Sequence, residues 1–219
     1  MLRGLKLLSI RPFLTFFITL AILAVFILLP QPGLSQQWRP VRGGIQFSIS
    51  GMALLEQQND SYSFLSVHDN KDQALGRLAI ISIKGEKSPQ YFPVKWPSNT
   101  ALPMDLESIT TVPGTSEPTF MAATSMGGVY HFRLDTSGQK VSILKVFNFP
   151  NIPKGSNFEG FSLQNINGQL LAVWAHRGQD KEPAVVYWGQ FDLNTYQLAP
   201  LGSAKLTVPW PISAVRHIS

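Results

Sequence analysis

The hydrophobic pattern changes character once along the chain. Residues 13–29 are uniformly apolar, with no charge and no helix breaker, and such a run predicts a helix that satisfies its own backbone hydrogen bonds in lipid. Every later apolar run is short, rich in β-branched and aromatic residues, and bounded by Gly, Pro, Asn or Asp. Runs of this kind predict β-strands. The pattern therefore predicts an N-terminal hydrophobic helix followed by an all-β body in residues 36–219.

The N-terminal segment is typical of a Sec-type signal peptide. Basic residues precede the apolar run, prolines end it, and Gly33 and Ser35 are small residues where signal peptidase requires them for cleavage after Ser35. The run also approaches the length of about 20 residues that spans a membrane, so an uncleaved anchor is the alternative. Because the positive charges hold the N-terminus in the cytoplasm, we expect an exported body, periplasmic or extracellular.

Within the body, one order of elements occurs three times. Each unit holds four predicted strands, and the units cover residues 49–96, 106–149 and 158–208. The second and third units open alike, with Glu107 corresponding to Glu159. Four consecutive antiparallel strands repeated every 50 or so residues are typical of a β-propeller blade, and a β-sandwich with similar-looking strands is the alternative.

The number of predicted blades is small for a propeller. Propellers usually close with about four to eight blades, whereas three are visible here, and residues 216–219 look like the start of another. We therefore expect an incomplete propeller, truncated at its C-terminus, and a fragment without independent function is one hypothesis. A three-blade arc would expose two apolar edges unless another segment or chain covers them.

Charge and composition narrow the classes of partner. The sequence has 18 basic and 13 acidic residues, and removal of residues 1–35 takes away three of the basic ones and none of the acidic ones, which leaves a net charge of +2. A weakly positive body without a basic run gives no electrostatic case for nucleic acid. The absence of cysteine excludes disulfides, thiol catalysis and thiolate metal sites. We expect contact with a membrane only through the N-terminal segment.

The acidic residues that open the units are the first candidates for chemistry. Asp105 and Glu107 are two positions apart, so on a regular strand both side chains would point to the same side. If the first strands surround a common axis, Glu107 and Glu159 would approach each other at one mouth of the channel. Carboxylates in this arrangement could hold a divalent cation such as calcium or divide acid and base roles. Turn capping or pairing with arginine is the structural alternative.

A second group of candidates follows the second strand of each unit, where loops commonly carry binding residues. His68 and His176 are candidate proton carriers. The candidate ligand-binding residues in these loops are Asp69, Asn70, Ser125 and Arg177, and Arg77 is a further candidate as an anion contact. A His-Asp-Asn sequence also makes a good turn, which is the structural alternative for the first loop.

Three short motifs carry a family resemblance. The segments 105–109 (DLESI), 157–161 (NFEGF) and 68–70 (HDN) resemble the repeated D-x-E-[GS]-hydrophobic, N-F-E-G and S-D-x openings of the "esterase-like activity of phytase" β-propellers, a family of exported bacterial proteins. The resemblance covers about residues 51–195. It implies a propeller whose glutamate-bearing inner strands face a central site, with hydrolysis of phosphoesters or esters as the activity.

No GxSxG, P-loop, GxGxxG or HExxH motif occurs in the sequence. The first functional hypothesis is therefore an exported propeller that binds a small molecule or an envelope protein without demonstrable catalysis. The alternative is a metal-assisted phosphoester or ester hydrolase. There Asp105, Glu107 and Glu159 would hold the cation, and His68 or His176 would carry the proton.

Overall fold

The computed structural model describes residues 39–135, 137–178 and 182–207. The predicted leader, its cleavage site and the predicted opening of a further blade at 216–219 lie outside these residues. Within them, no helix is long and apolar enough to cross a membrane. A single turn of 3-10 helix, Ile45–Phe47, precedes the first strand.

In the described part of the chain, twelve strands form three four-stranded antiparallel sheets, and in each sheet the strands lie side by side in chain order. Blade 1 contains β1 (Gly51–Gln58), β2 (Ser61–Val67), β3 (Leu78–Lys84) and β4 (Gln90–Val94). Blade 2 contains β5 (Leu106–Thr111), β6 (Thr119–Thr124), β7 (Gly128–Leu134) and β8 (Val141–Asn148). Blade 3 contains β9 (Phe158–Ile166), β10 (Gln169–His176), β11 (Ala184–Asp192) and β12 (Gln197–Leu206). The prediction of three four-stranded units is confirmed.

The hairpins form where the sequence offers residues that tolerate a left-handed backbone. Asn167 and Gly168, between β9 and β10, have φ of 53° and 84°, which is the conformation that a two-residue hairpin turn requires. Asn59, between β1 and β2, has φ of 49°. Asn and Gly adopt such angles at low cost, so these short turns fix the register of the strands that they join.

Blade 2 lies between the other two blades. All six residues of β6 are buried, and alternate residues belong to different cores. Phe120 and Ala122 pack in the core shared with blade 1, whereas Met121 and Ala123 pack in the core shared with blade 3. Since successive side chains of a strand point to opposite faces, both faces of blade 2 are covered by a neighbouring sheet.

Successive side chains of β7 point to opposite faces of blade 2. Tyr130 and Phe132 lie edge-on to Trp96, at centroid distances of 5.3 and 6.1 Å. His131 points to the other face, where it contacts Tyr196 of blade 3.

The first strands of the three blades lie next to one another, because β5 packs against both β1 and β9. Three sheets packed face to face, with their first strands together, make an all-β, propeller-like fold. A β-sandwich has only two packed sheets. This arrangement brings the beginnings of β5 and β9, and the loops after β2, β6 and β10, to one end of the inner strands.

Candidate functional site

A β-bulge occurs at the same position in blades 2 and 3, and a glutamate occupies it each time. In blade 2, Leu106 pairs with Thr124 and Ser108 with Ala123, so Glu107 is the extra residue. The first pairs of β9 and β10 skip Glu159 in the same way. A bulge bends its strand and turns the side chain away from the regular alternation. The same backbone irregularity, a β-bulge, therefore sets the direction of both glutamate side chains.

The sequence predicted that Asp105 and Glu107 would point to the same side of a regular strand, but Asp105 does not belong to β5. Asp105 precedes the strand and has φ of 63°, in the left-handed region that few residues other than glycine adopt. Glu107 lies at the bulge rather than in the regular strand. The two carboxyls are still close enough to interact, since Asp105 is among the groups that raise the pKa of Glu107. The turn and the bulge together cause this contact.

Four carboxyls form what we call the acidic mouth: Asp69, Asp105, Glu107 and Glu159. The pKa of Glu107 is raised to about 8, first by burial and then by the negative charges of Glu159, Asp105 and Asp69. Burial and neighbouring like charges both disfavour the ionised form of a carboxyl. Glu107 therefore keeps its proton at neutral pH, and its interaction with Glu159 reflects the close approach of the openings of β5 and β9.

Two basic side chains partly balance the acidic mouth. Lys71 Nζ lies 3.2 Å from Asp105 Oδ2 and its side chain is 69% exposed. Arg177 donates to Glu159 Oε1 at 3.1 Å, and its side chain is 47% exposed whereas that of Glu159 is 9% exposed. Solvent screens such exposed charges strongly. The mouth consequently holds four carboxyls against two screened cations.

Neutral donors complete the contacts of the mouth. Asn157 Nδ2 donates to Glu159 Oε1 at 3.1 Å, and Ser125 Oγ donates to Asp105 Oδ2 at 2.7 Å. The structure thus brings the predicted residues Ser125 and Arg177 to the acidic residues. Lys71 and Asn157 were not identified as site residues from the sequence, although both lie within or beside the motifs that drew attention to this region.

The two predicted proton carriers have other bonds. His68 is buried, and its Nδ1 donates to the Ser48 carbonyl at 2.7 Å, because a carbonyl can only accept. Its Nε2 then accepts from the Tyr91 hydroxyl at 3.0 Å. Burial lowers the pKa of His68. These bonds tie the segment before β1 to blade 1 and leave no free ring nitrogen for proton transfer.

His176 is also buried, and its Nδ1 accepts from the backbone N–H of Gly178 at 2.9 Å. Its ring lies edge-on to Phe158, at a centroid distance of 6.1 Å. These contacts fix the turn after β10. They do not place the ring in a hydrogen bond with a carboxyl of the acidic mouth.

Asn70 and Arg77 organise the loop between β2 and β3. Asn70 Nδ2 donates to the carbonyls of Gln46 and Gly76, at 3.0 and 2.7 Å. The buried Arg77 guanidinium donates to the carbonyls of Pro103, Asp72 and Leu75. These two predicted ligand-binding residues therefore hold the loop that carries Asp69 and Lys71.

The described residues contain no group of three or more His, Asp or Glu side chains arranged to hold a metal ion. The predicted ligand set of Asp105, Glu107 and Glu159 consequently lacks metal-site geometry here. The acids interact electrostatically, and their closest partners are Lys71, Arg177, Ser125 and Asn157.

A groove of about 620 Å³ runs along the inner strands, and we call it the inner groove. β1, β5 and β9 all contribute to its walls, which are formed by Met52, Ala53, Leu54, Ile109, Thr110, Thr111, Pro113, Phe161, Ser162, Leu163, Gln164 and Asn165. Ile109 and Phe161 lie two residues beyond Glu107 and Glu159, or about 7 Å along a strand. The inner groove therefore begins next to the acidic mouth.

Comparison with known proteins gives no family assignment. No family model and no curated protein matches the sequence. A solved structure, the intramolecular trans-sialidase from Ruminococcus gnavus in complex with oseltamivir carboxylate, is similar with a TM-score of 0.40 and 11% sequence identity. The match covers 71% of this chain and 33% of the trans-sialidase chain. The matched region thus spans about a third of that protein.

Proposed function

We propose that this chain is an exported, propeller-like protein of the cell envelope that binds a cationic ligand or partner group at the acidic mouth. The observation that carries the proposal is the repeated bulge, which presents a glutamate at the same place in two adjacent blades. Bulges are common beside functional sites because they re-aim a side chain. If the bulges served only to bend their strands, neither would need a carboxyl side chain, yet both have one.

Charge balance favours a cation as the ligand. The mouth has four carboxyls, and its two basic side chains, Lys71 and Arg177, are largely open to solvent. Burial and the neighbouring carboxylates raise the pKa of Glu107 to about 8, so this side chain keeps its proton at neutral pH. Perturbed acids of this kind concentrate at functional sites. A bound ammonium or guanidinium group would stabilise the ionised form of Glu107, and binding at pH 7 would therefore release a proton.

An organic cation suits this mouth better than a metal ion. A metal needs several ligands at short, fixed distances, and the described part of the chain has no such group. An ammonium or guanidinium ion makes hydrogen bonds with less strict geometry. Its charge can then be shared among carboxyls that do not meet at one point.

The test uses n-butylammonium chloride as the probe and the full chain as the protein. We expect the probe to raise the thermal midpoint of the wild type above that in sodium chloride of equal ionic strength, because a ligand of the folded state stabilises it. The double variant Glu107→Gln, Glu159→Gln should lose this effect. Glu86→Gln, which changes an exposed acid in the β3–β4 turn, should keep it. Equal stabilisation of the double variant and the wild type would rule out binding at the mouth.

A second candidate function is hydrolysis of phosphoesters or esters. A carboxyl that keeps its proton near neutral pH, as Glu107 does, can act as a general acid beside a second carboxyl. The resemblance to the phytase-like family points the same way, whereas the missing metal-ligand group among the described residues counts against it. The test is release of p-nitrophenol from p-nitrophenyl phosphate with and without Ca²⁺. Activity should fall as the pH rises through about 8 and should be lost in Glu107→Gln.

A further inference from the structure

The inner groove exposes apolar side chains that a folded protein normally buries. Met52 and Leu54 are 53% and 47% exposed, and both belong to β1 at the wall of the groove. Exposed apolar groups gathered in a concave surface are typical of a binding site. The volume of about 620 Å³ falls within the range of about 300–1,000 Å³ that holds a small ligand.

Polar groups of the groove lie among these apolar ones. Thr110, Ser162, Gln164 and Asn165 contribute hydroxyl and amide groups from β5 and β9. The Thr110 hydroxyl accepts a hydrogen bond from the Leu163 N–H at 3.3 Å, which joins β5 to β9 within the wall of the groove. The groove therefore depends on the packing of blade 2 against blade 3.

Charge is confined to one end of the space that the inner groove and the acidic mouth form together. The residues that form its walls carry no charged side chain, while the adjoining acidic mouth has four carboxyls and two exposed cations. A ligand that fills both spaces therefore needs an uncharged, mainly apolar body and a positive end. An anionic amphiphile would place its charge against the carboxyls, which is unfavourable.

We infer that the inner groove holds the apolar body of an amphipathic amine whose ammonium group lies in the acidic mouth. This inference rests on the proposed function, because the mouth supplies the charge recognition. It adds that the length and apolar character of the ligand are read by Met52 and Leu54 along β1. The ligand class is thus an aliphatic amine.

The experiment compares four probes by isothermal titration calorimetry with the full chain: n-octylammonium, n-butylammonium, n-octanol and n-octanoate. The octyl chain has four more methylenes than the butyl chain, and each methylene that is removed from water favours binding. Partial burial then gives octylammonium an affinity at least about tenfold higher than butylammonium. Octanol and octanoate should bind much more weakly than octylammonium. The heat should also depend on the ionisation enthalpy of the buffer, because Glu107 releases its proton.

Substitutions in the groove separate this site from other apolar segments of the chain. Met52→Gln and Leu54→Gln change half-exposed side chains, so the fold should persist, and the advantage of octylammonium over butylammonium should disappear. A matched exposed position outside the groove, Leu201→Gln in β12, should leave the advantage intact.

The outcomes distinguish the inference from the proposed function. If butylammonium and octylammonium bind with equal affinity, the mouth recognises cations but the groove is not used, and the inference is wrong. If octanol binds as tightly as octylammonium, the groove takes apolar ligands without a charge, which also overturns it. If neither amine binds, the proposed function fails together with the inference.

Discussion

Replacement of Glu107 by Gln should change how the stability of the fold depends on pH. The pKa of Glu107 is raised from 4.5 to about 8. Between these values the folded protein holds a proton that the unfolded chain has released. The contribution of Glu107 to the free energy of unfolding is therefore fully present below pH 4.5 and is lost as the pH rises through about 8. Gln keeps the size of the side chain and cannot ionise. The variant should therefore match the wild type near pH 5 and exceed it near pH 9.

The size of this effect follows from the same two values. A rise from 4.5 to about 8, at about 1.4 kcal/mol for each pH unit between them, sets an upper bound of about 5 kcal/mol. Glu107 is only partly buried, and water weakens the repulsion from its neighbours. We expect the free energy of unfolding of Glu107→Gln to exceed that of the wild type by about 2 kcal/mol at pH 9.

Urea unfolding followed by circular dichroism at pH 5, 7 and 9 measures the difference. Glu86→Gln is the matched control, because Glu86 is exposed in a turn and should shift stability by less than about 0.5 kcal/mol at every pH. A constant difference between Glu107→Gln and the wild type across the three pH values would contradict the raised pKa. It would also remove the electrostatic support for the acidic mouth.

Three further changes test the packing of the blades. Gly51→Ala would place a Cβ 3.1 Å from the Ser108 Cα, and urea unfolding should show a loss of about 1–3 kcal/mol; no loss would mean that β1 and β5 do not approach so closely. Tyr196→Phe removes the hydroxyl that lies 2.7 Å from His131 Nδ1 and should cost about 1–2 kcal/mol, whereas Tyr62→Phe should not. Burial lowers the pKa of His131 from 6.5, so its contribution is complete above pH 6.5 and is lost as the pH falls through the lowered value. Thermal midpoints of His131→Gln should therefore depend less on acid than those of the wild type, and equal slopes would refute this.

The blade boundaries could be predicted from the sequence because they depend on local patterns. Strand alternation and turn residues act over a few positions, and the predicted units 49–96, 106–149 and 158–208 enclose strands observed over 51–94, 106–148 and 158–206.

The contacts of the site were harder to predict because they depend on irregular backbone and on distant partners. A period of two cannot reveal the bulge at Glu107 or the left-handed backbone of Asp105. The bonds of His68 to Ser48 and Tyr91 join segments 20 and 23 residues apart in the chain. The sequence indicates His68 as a proton carrier because of its side-chain chemistry. In the folded chain its two hydrogen bonds instead join the segment before β1 to β4.

The repeated bulge has an evolutionary consequence. Because an extra residue stands outside the regular pairing of its strand, it can change without disturbing the packed faces of the blade. Blades 2 and 3 each add one carboxyl to the mouth in this way, whereas β1 pairs regularly at its start, from Gly51 opposite Val67. Duplication of a blade would copy the charge with the fold, and a single substitution at the bulge would retune it. Ligand preference can thus diverge among repeats whose cores stay the same.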